Sequence, residues 1–265
     1  MVSAETVALA GVGVAAVMTI ALLAVERPPV NGLTVLAAIP WVVAAGVLDA
    51  LATTGAYPAN VASVLRLPAG LVLTFVVAGL VWVPLLQLAT LRDYEGGSGH
   101  YLAAAGLGAA VVLLTTLLLR EGLDGQGLLW LSAVPLVAAL LAGLVYVLLG
   151  FVDPTTLATT RWIGYVVVLG FTLLGTTITV GIDVYGLRGG GIADTLVSFA
   201  ADLPTASVSV GWPAAVLGAL VGCVVAALVA RGIRSEAVIG TLLAVVVSAV
   251  TTAPAVATLL GTILR

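Results

Sequence analysis

Lysine does not occur in this chain of 265 residues. All nine basic residues are arginine, set against twelve acids for a net charge of −3. Without a side-chain primary amine no cofactor can be held as a Schiff base, so a covalently bound retinal pigment is excluded on chemistry. The weakly acidic balance also lacks the basic footprint that nucleic-acid binding requires. Cysteine and histidine occur once each, as Cys223 and His100. A single cysteine permits no disulfide within the chain, and these two residues alone do not make a zinc site. Acid clusters of the DDxxD kind, which hold metal for prenyl transfer, do not occur. Ser98 and His100 stand together in "GGSGH". A nucleophile and its base must converge in a shielded pocket with a third orienting group, and a glycine-rich loop does not supply that. The residues thus point to no catalytic constellation, no metal and no cofactor.

Charge of either sign is scarce: 8% of residues are charged and 62% are hydrophobic. Soluble domains average roughly 25% charged residues. A water-soluble fold of this length cannot hide so much apolar surface, so lipid must solvate much of it. Eight runs approach the roughly 20 apolar residues needed to cross the hydrocarbon core. They predict an all-α, polytopic transmembrane helix bundle, a single integral membrane domain over 1–265. Its spans lie near 7–25, 33–52, 67–90, 101–119, 128–150, 162–182, 212–230 and 237–264. The breaks, such as "ERPPVNG", "RDYEGGSGH" and "VDPTTLATTR", read as loops from their Gly, Pro and polar clusters. Residues 1–6 hold Glu5 and no basic side chain, so the first run is expected to be a retained helix rather than a signal peptide. Trp130, Trp162 and Trp212 mark span starts at the interface. Pro68 and Pro213 stand near span starts, whereas Pro40, Pro84, Pro135 and Pro254 lie deeper, where they are expected to kink their helices. Ala214, Gly218, Gly222 and Ala226 form a small-xxx-small ridge, the pattern of a close helix crossing.

The longest break runs from Asp183 to Gly211. Within it Ile192, Leu196, Phe199 and Leu203 share one helical face, and Asp194, Ser198 and Asp202 share the other. A short amphipathic helix near 191–203 is therefore predicted, lying in the interface and stopped by Pro204. Eight spans put both ends of the chain on one face of the membrane. That face carries Arg66, Arg120, Arg188 and Arg265 with seven acids. The other carries Arg27, Arg92, Arg161, Arg231 and Arg234 with five. The positive-inside rule then leans toward both ends outside.

Asp49 and Asp183 each close an apolar run on the terminal face. Asp49 falls about 5 Å from its span end. A carboxylate at mid-bilayer costs roughly 2.5–3.5 kcal/mol, and a helix C-terminus repels an anion, so each acid requires a positive or hydrogen-bonding neighbour. Thr172, Thr176, Thr179 and Asp183 follow at i, i+4, i+7 and i+11, one helix face. Two readings stand side by side. In one, Asp49, Asp183, Thr172, Thr176, Thr179 and Arg188 line a polar vestibule for a small ion or polar solute. In the other, the threonines bond to their preceding turn as packing glue, and the acids pair with Arg66 or Arg188. Ser248, Thr251, Thr258 and Thr262 make a second polar row, for which glue is the favoured reading.

"WVVAAGVLDALATTGAYP" (41–58) and "LGTTITVGIDVYG" (174–186) resemble the second-helix and sixth-helix motifs of an archaeal membrane-protein family, the one catalogued as domain of unknown function number sixty-three. The resemblance covers about 30 residues in recognisable motifs and most of the chain in hydropathy. It implies a multi-pass architecture in an archaeal cell membrane, with no assigned activity. The missing lysines and acidic balance fit a salt-adapted archaeon. The chain departs from the pattern where the family carries an arginine before the first acid (here "VVAAGV") and a histidine and acid before the threonine of the later motif (here "GFTLLG"). Set against the resemblance, these departures imply a divergent member or one that has lost the site those groups would form. Two functions follow: a small transporter or channel-like protein using the vestibule, or a non-catalytic scaffold or subunit of a larger membrane complex.

Overall fold

The computed structural model describes residues 4–91, 98–186 and 209–264. Among them there are helices and no strands. The chain divides into two compact units, Met1–Gly122 and Leu123–Arg265. Among the described residues eight helices are long and apolar enough to cross a membrane, in agreement with the eight predicted spans. At 1.5 Å per residue, a helix of 22 residues covers about 33 Å, enough for the hydrocarbon core.

The first unit contains α1 (Ala4–Glu26), α2 (Gly32–Thr53), α3 (Ala59–Leu65), α4 (Ala69–Leu91) and α5 (Ser98–Glu121). The second-span helix, α2, is its core and packs against α3, α4 and α5. Asn31 starts it with a capping box: its Oδ1 accepts from the Leu33 and Thr34 amides at 3.0 and 3.3 Å, and Thr34 Oγ1 accepts from the Asn31 amide at 3.1 Å. Two tryptophans anchor the packing. Trp41 Nε1 donates to the Leu102 carbonyl at 3.0 Å, and Trp82 Nε1 to Ser98 Oγ at 3.0 Å. Both rings are buried with Ala37 and Leu102. Gly106 admits the indole: a Cβ there would lie 2.6 Å from Trp41 Cδ1. By contrast α1 exposes most of its apolar side chains, among them Val14, Val17 and Met18.

The second unit contains α6 (Gly125–Val152), α7 (Pro154–Thr160), α8 (Trp162–Asp183), α9 (Trp212–Ser235) and α10 (Ala237–Ile263). Here α8 is the core helix, packed against α6, α7, α9 and α10. The α8–α9 crossing is backbone on backbone. A Cβ on Gly175 would strike the Ala214 carbonyl, one on Gly218 would lie 2.5 Å from the Phe171 carbonyl oxygen, and one on Gly222 would lie 2.9 Å from Val168 Cα. The predicted small-residue ridge of α9 is this crossing, and close approach is what small residues provide where lipid gives no hydrophobic drive to associate. On the other side of α8, Gly170 faces Thr251 and Thr252 of α10.

The helices continue through Pro40, Pro84, Pro135 and Pro254. Two breaks between the predicted spans are in part helical: α3 in 53–66 and α7 in 151–161. Each is a single seven-residue piece, too short to show a hydrophobic period, and each follows a proline or begins with one. Trp130 lies more than a turn inside α6, because Asp124 caps that helix early by accepting from the Gly127 amide at 2.6 Å. The amphipathic segment 191–203 and Arg188 lie outside the described residues.

Asp153 is the cap of α7. Its Oδ1 accepts from the amides of Thr155 and Thr156 at 3.2 and 3.1 Å and from the Thr155 hydroxyl at 2.6 Å, and its Oδ2 accepts from the Thr156 hydroxyl at 2.7 Å. The Thr155 hydroxyl, then the Thr156 hydroxyl and amide, hold this carboxyl down to about 2. A depressed carboxyl stabilises the fold above its ordinary range near 4 and loses that contribution as pH falls through the depressed value. Amide exchange over 154–161, corrected for its intrinsic pH dependence, is therefore expected to stay slow at pH 5 and quicken between pH 4 and 2. Asp153→Asn should show the faster exchange already at pH 7. Equal protection in both proteins at pH 7 would rule out this cap.

Candidate functional site

The two acids singled out from the sequence occupy equivalent places in their own units. Each lies near the end of its core helix, and each carboxylate turns to the backbone that leads into the next span. Asp49, in the last turn or so of α2, accepts from the Leu67 amide through Oδ1 at 2.7 Å. Leu67 stands two residues before α4. Asp183, the last residue of α8, accepts from the amides of Val210 and Gly211 through Oδ1, both at 2.9 Å. Its Oδ2 accepts from the Ser209 hydroxyl, and Ser209 Oγ in turn accepts from the Trp212 amide at 3.2 Å. These amides open α9, whose flanking residue is Gly211.

This geometry accounts for acids in an electrostatically poor location. The C-terminus of a helix disfavours an anion, but the first amides of the following helix are unsatisfied donors at a positive dipole end. Asp183 is held at the start of α9, and Asp49 by the turn that precedes α4, rather than by the helices that carry them. The partners are backbone amides, so the pairing of Asp49 with Arg66 expected from the sequence gives way to a bond with the residue after Arg66. The ion pair found among the described residues is Arg120 with Glu121, 3.4 Å apart at the end of α5.

The threonine stripe is brought to the same corner at one end only. Thr179 Oγ1 donates toward the carbonyls of Gly211 and Gly175, at 2.8 and 3.0 Å. It thereby joins Asp183 on the α8–α9 turn. Gly211 is needed there, since a Cβ would sit 2.8 Å from Thr179 Cα. Thr172 and Thr176 are buried and donate to the carbonyls one turn back, Val168 and Thr172, each at 2.7 Å. In the second polar row Thr251 and Thr262 do the same, toward Val247 and Thr258. Thr177 and Ser248 differ: both hydroxyls are buried without a hydrogen-bond partner among the described residues.

A second corner was not singled out in the sequence. Tyr146 of α6 donates its hydroxyl to the Arg161 carbonyl at 2.5 Å and lies 2.9 Å from Thr160 Oγ1. Arg161 joins α7 to α8 at φ 48°, ψ −125°, a conformation that side-chain-bearing residues seldom adopt. Such a residue costs of order 1–3 kcal/mol and persists where its surroundings hold it. No pattern of residue types announces this arrangement, because its acceptor is a main-chain carbonyl.

Eight apolar helices, with outward faces carrying residues such as Leu140, Phe151 and Val224, define a multi-pass integral membrane protein in contact with the bilayer. No family model, no curated protein and no solved structure matches the chain.

Proposed function

We propose that this protein is a non-catalytic membrane scaffold or subunit, in which Asp49 and Asp183 act as locks between successive spans. The observation that carries this reading is the engagement of both carboxylates by backbone amides of the turn that leads into the next span. Supporting it, the hydroxyls of Thr172, Thr176 and Thr179 bond to carbonyls of their own helix or of the adjoining turn. Groups so engaged stabilise the bundle. The rival reading, a transporter whose vestibule includes Asp49, Asp183 and Arg188, draws support from the partnerless hydroxyls of Thr177 and Ser248.

The resemblance of 41–58 and 174–186 to the archaeal family supports placing the chain among its divergent members, in the cell membrane of a salt-adapted archaeon.

Proteoliposomes decide between the readings. Asp49→Asn and Asp183→Asn keep the side-chain size but weaken a charge-assisted acceptor. Such a bond contributes about 1.5–3 kcal/mol when shielded, and less at exposed Asp183. The scaffold reading expects a lower unfolding midpoint for each variant. It also expects cation and proton leak across wild-type vesicles to match that of empty ones. Wild-type flux that either Asn variant abolishes, with the midpoint unchanged, would establish the transporter instead.

A further inference from the structure

The chemistry-bearing groups that these roles leave unused gather on the opposite face of the second unit. Arg161, Arg231 and Arg234 are its described arginines, and all three are exposed where α7, the start of α8 and the end of α9 meet. None forms an ion pair with a described residue. Arg234 Nη1 reaches Thr159 Oγ1 of α7 at 3.5 Å. Arg231 lies one turn earlier on the same flank of α9. Arg161 is fixed between α7 and α8 by the Tyr146 hydroxyl on its carbonyl. Two acids share this end, Asp153 and exposed Glu236, so the three arginines leave it a net positive charge. Trp162, next to Arg161, is 71% exposed at the first residue of a span, with its ring edge-on to Tyr165 at 6.3 Å. An exposed tryptophan at a span start belongs at headgroup depth, which sets the arginines at the same level.

We propose that Arg161, Arg231 and Arg234 form a binding surface for the phosphate headgroup of anionic phospholipids. The guanidinium fork matches phosphate oxygens in pairs. The acyl chains would then lie along the outward apolar side chains below Trp162. A basic side chain near an anionic leaflet strengthens binding about fivefold, so three together predict a loss of at least about tenfold when all are neutralised.

The test uses the full chain in neutral detergent, with native mass spectrometry reading retained lipid. Phosphatidylglycerol and phosphatidylcholine are offered in equal amounts, with and without inorganic phosphate. The expected result is preferential retention of phosphatidylglycerol by the wild type. Retention should fall at least about tenfold in the Arg161→Gln/Arg231→Gln/Arg234→Gln protein and hold in an Arg66→Gln/Arg120→Gln control. If the triple variant does not fold, the single variants Arg231→Gln and Arg234→Gln each carry the test, with a loss of about fivefold expected. Equal retention of the two lipids by the wild type overturns the proposal, as does undiminished retention in the variants. Displacement of the lipid by millimolar inorganic phosphate also overturns it, by reassigning the site to a soluble anion.

Discussion

Gly175→Leu is expected to prevent α8 and α9 from closing, and to leave little folded protein after detergent extraction. The clash is with main chain: even a Cβ at this position meets the Ala214 carbonyl, and Ala215 Cα at 2.9 Å. A flexible side chain could rotate away, but a helix backbone must translate. Overpacking of a core costs about 1–3 kcal/mol where side chains can adjust. A clash of backbone against backbone should exceed that range and remove a large share of a total stability near 5–15 kcal/mol. Moving α9 outward would also pull Gly211 from Asp183 and Thr179, so the damage extends to the lock. Yield of monodisperse protein and the unfolding midpoint measure this. Gly261→Leu is the control, since a Cβ there meets nothing within 4 Å. Similar yields for the two variants would refute the proposed crossing.

Trp41→Ala should be the most damaging truncation in the first unit. The indole is 7% exposed, fills the notch left by Gly106 and bonds to Leu102. Removing a buried aromatic ring of this kind costs about 3–5 kcal/mol through lost contacts and the cavity left behind. Trp41→Phe keeps most of the volume but lacks the N–H, so its smaller loss separates packing from the hydrogen bond. Denaturant titration in mixed micelles followed by tryptophan emission gives both numbers. A Trp41→Ala protein within about 1 kcal/mol of wild type would show that α2 and α5 do not rely on this ring.

The spans were legible because lipid demands long apolar runs, and that demand is written into residue type. Their ends were less so. The Asp124 cap starts α6 three residues before its apolar run, the Asn31 cap starts α2 one residue before its own, and α3 and α7 are too short for periodicity to reveal them. The α9 ridge was readable from its spacing, whereas Gly175 on the facing helix acquired its meaning only from the crossing. Asp49 and Asp183 stood out as acids needing a partner. The partners were out of reach of sequence reasoning, since the amides of Leu67, Val210 and Gly211 are main-chain groups that every residue but proline possesses. The strained elbow at Arg161 was hidden for the same reason.

The two locks also order events in time. As the chain is made from its N-terminus, Asp49 emerges 18 residues ahead of Leu67, and Asp183 emerges 28 residues ahead of Gly211. Each carboxylate must wait, hydrated at the membrane rim, until the following hydrophobic stretch begins to arrive. Closure of the bond then reports that one helix has handed over to the next, and fastens the pair before the remaining spans of that half are complete.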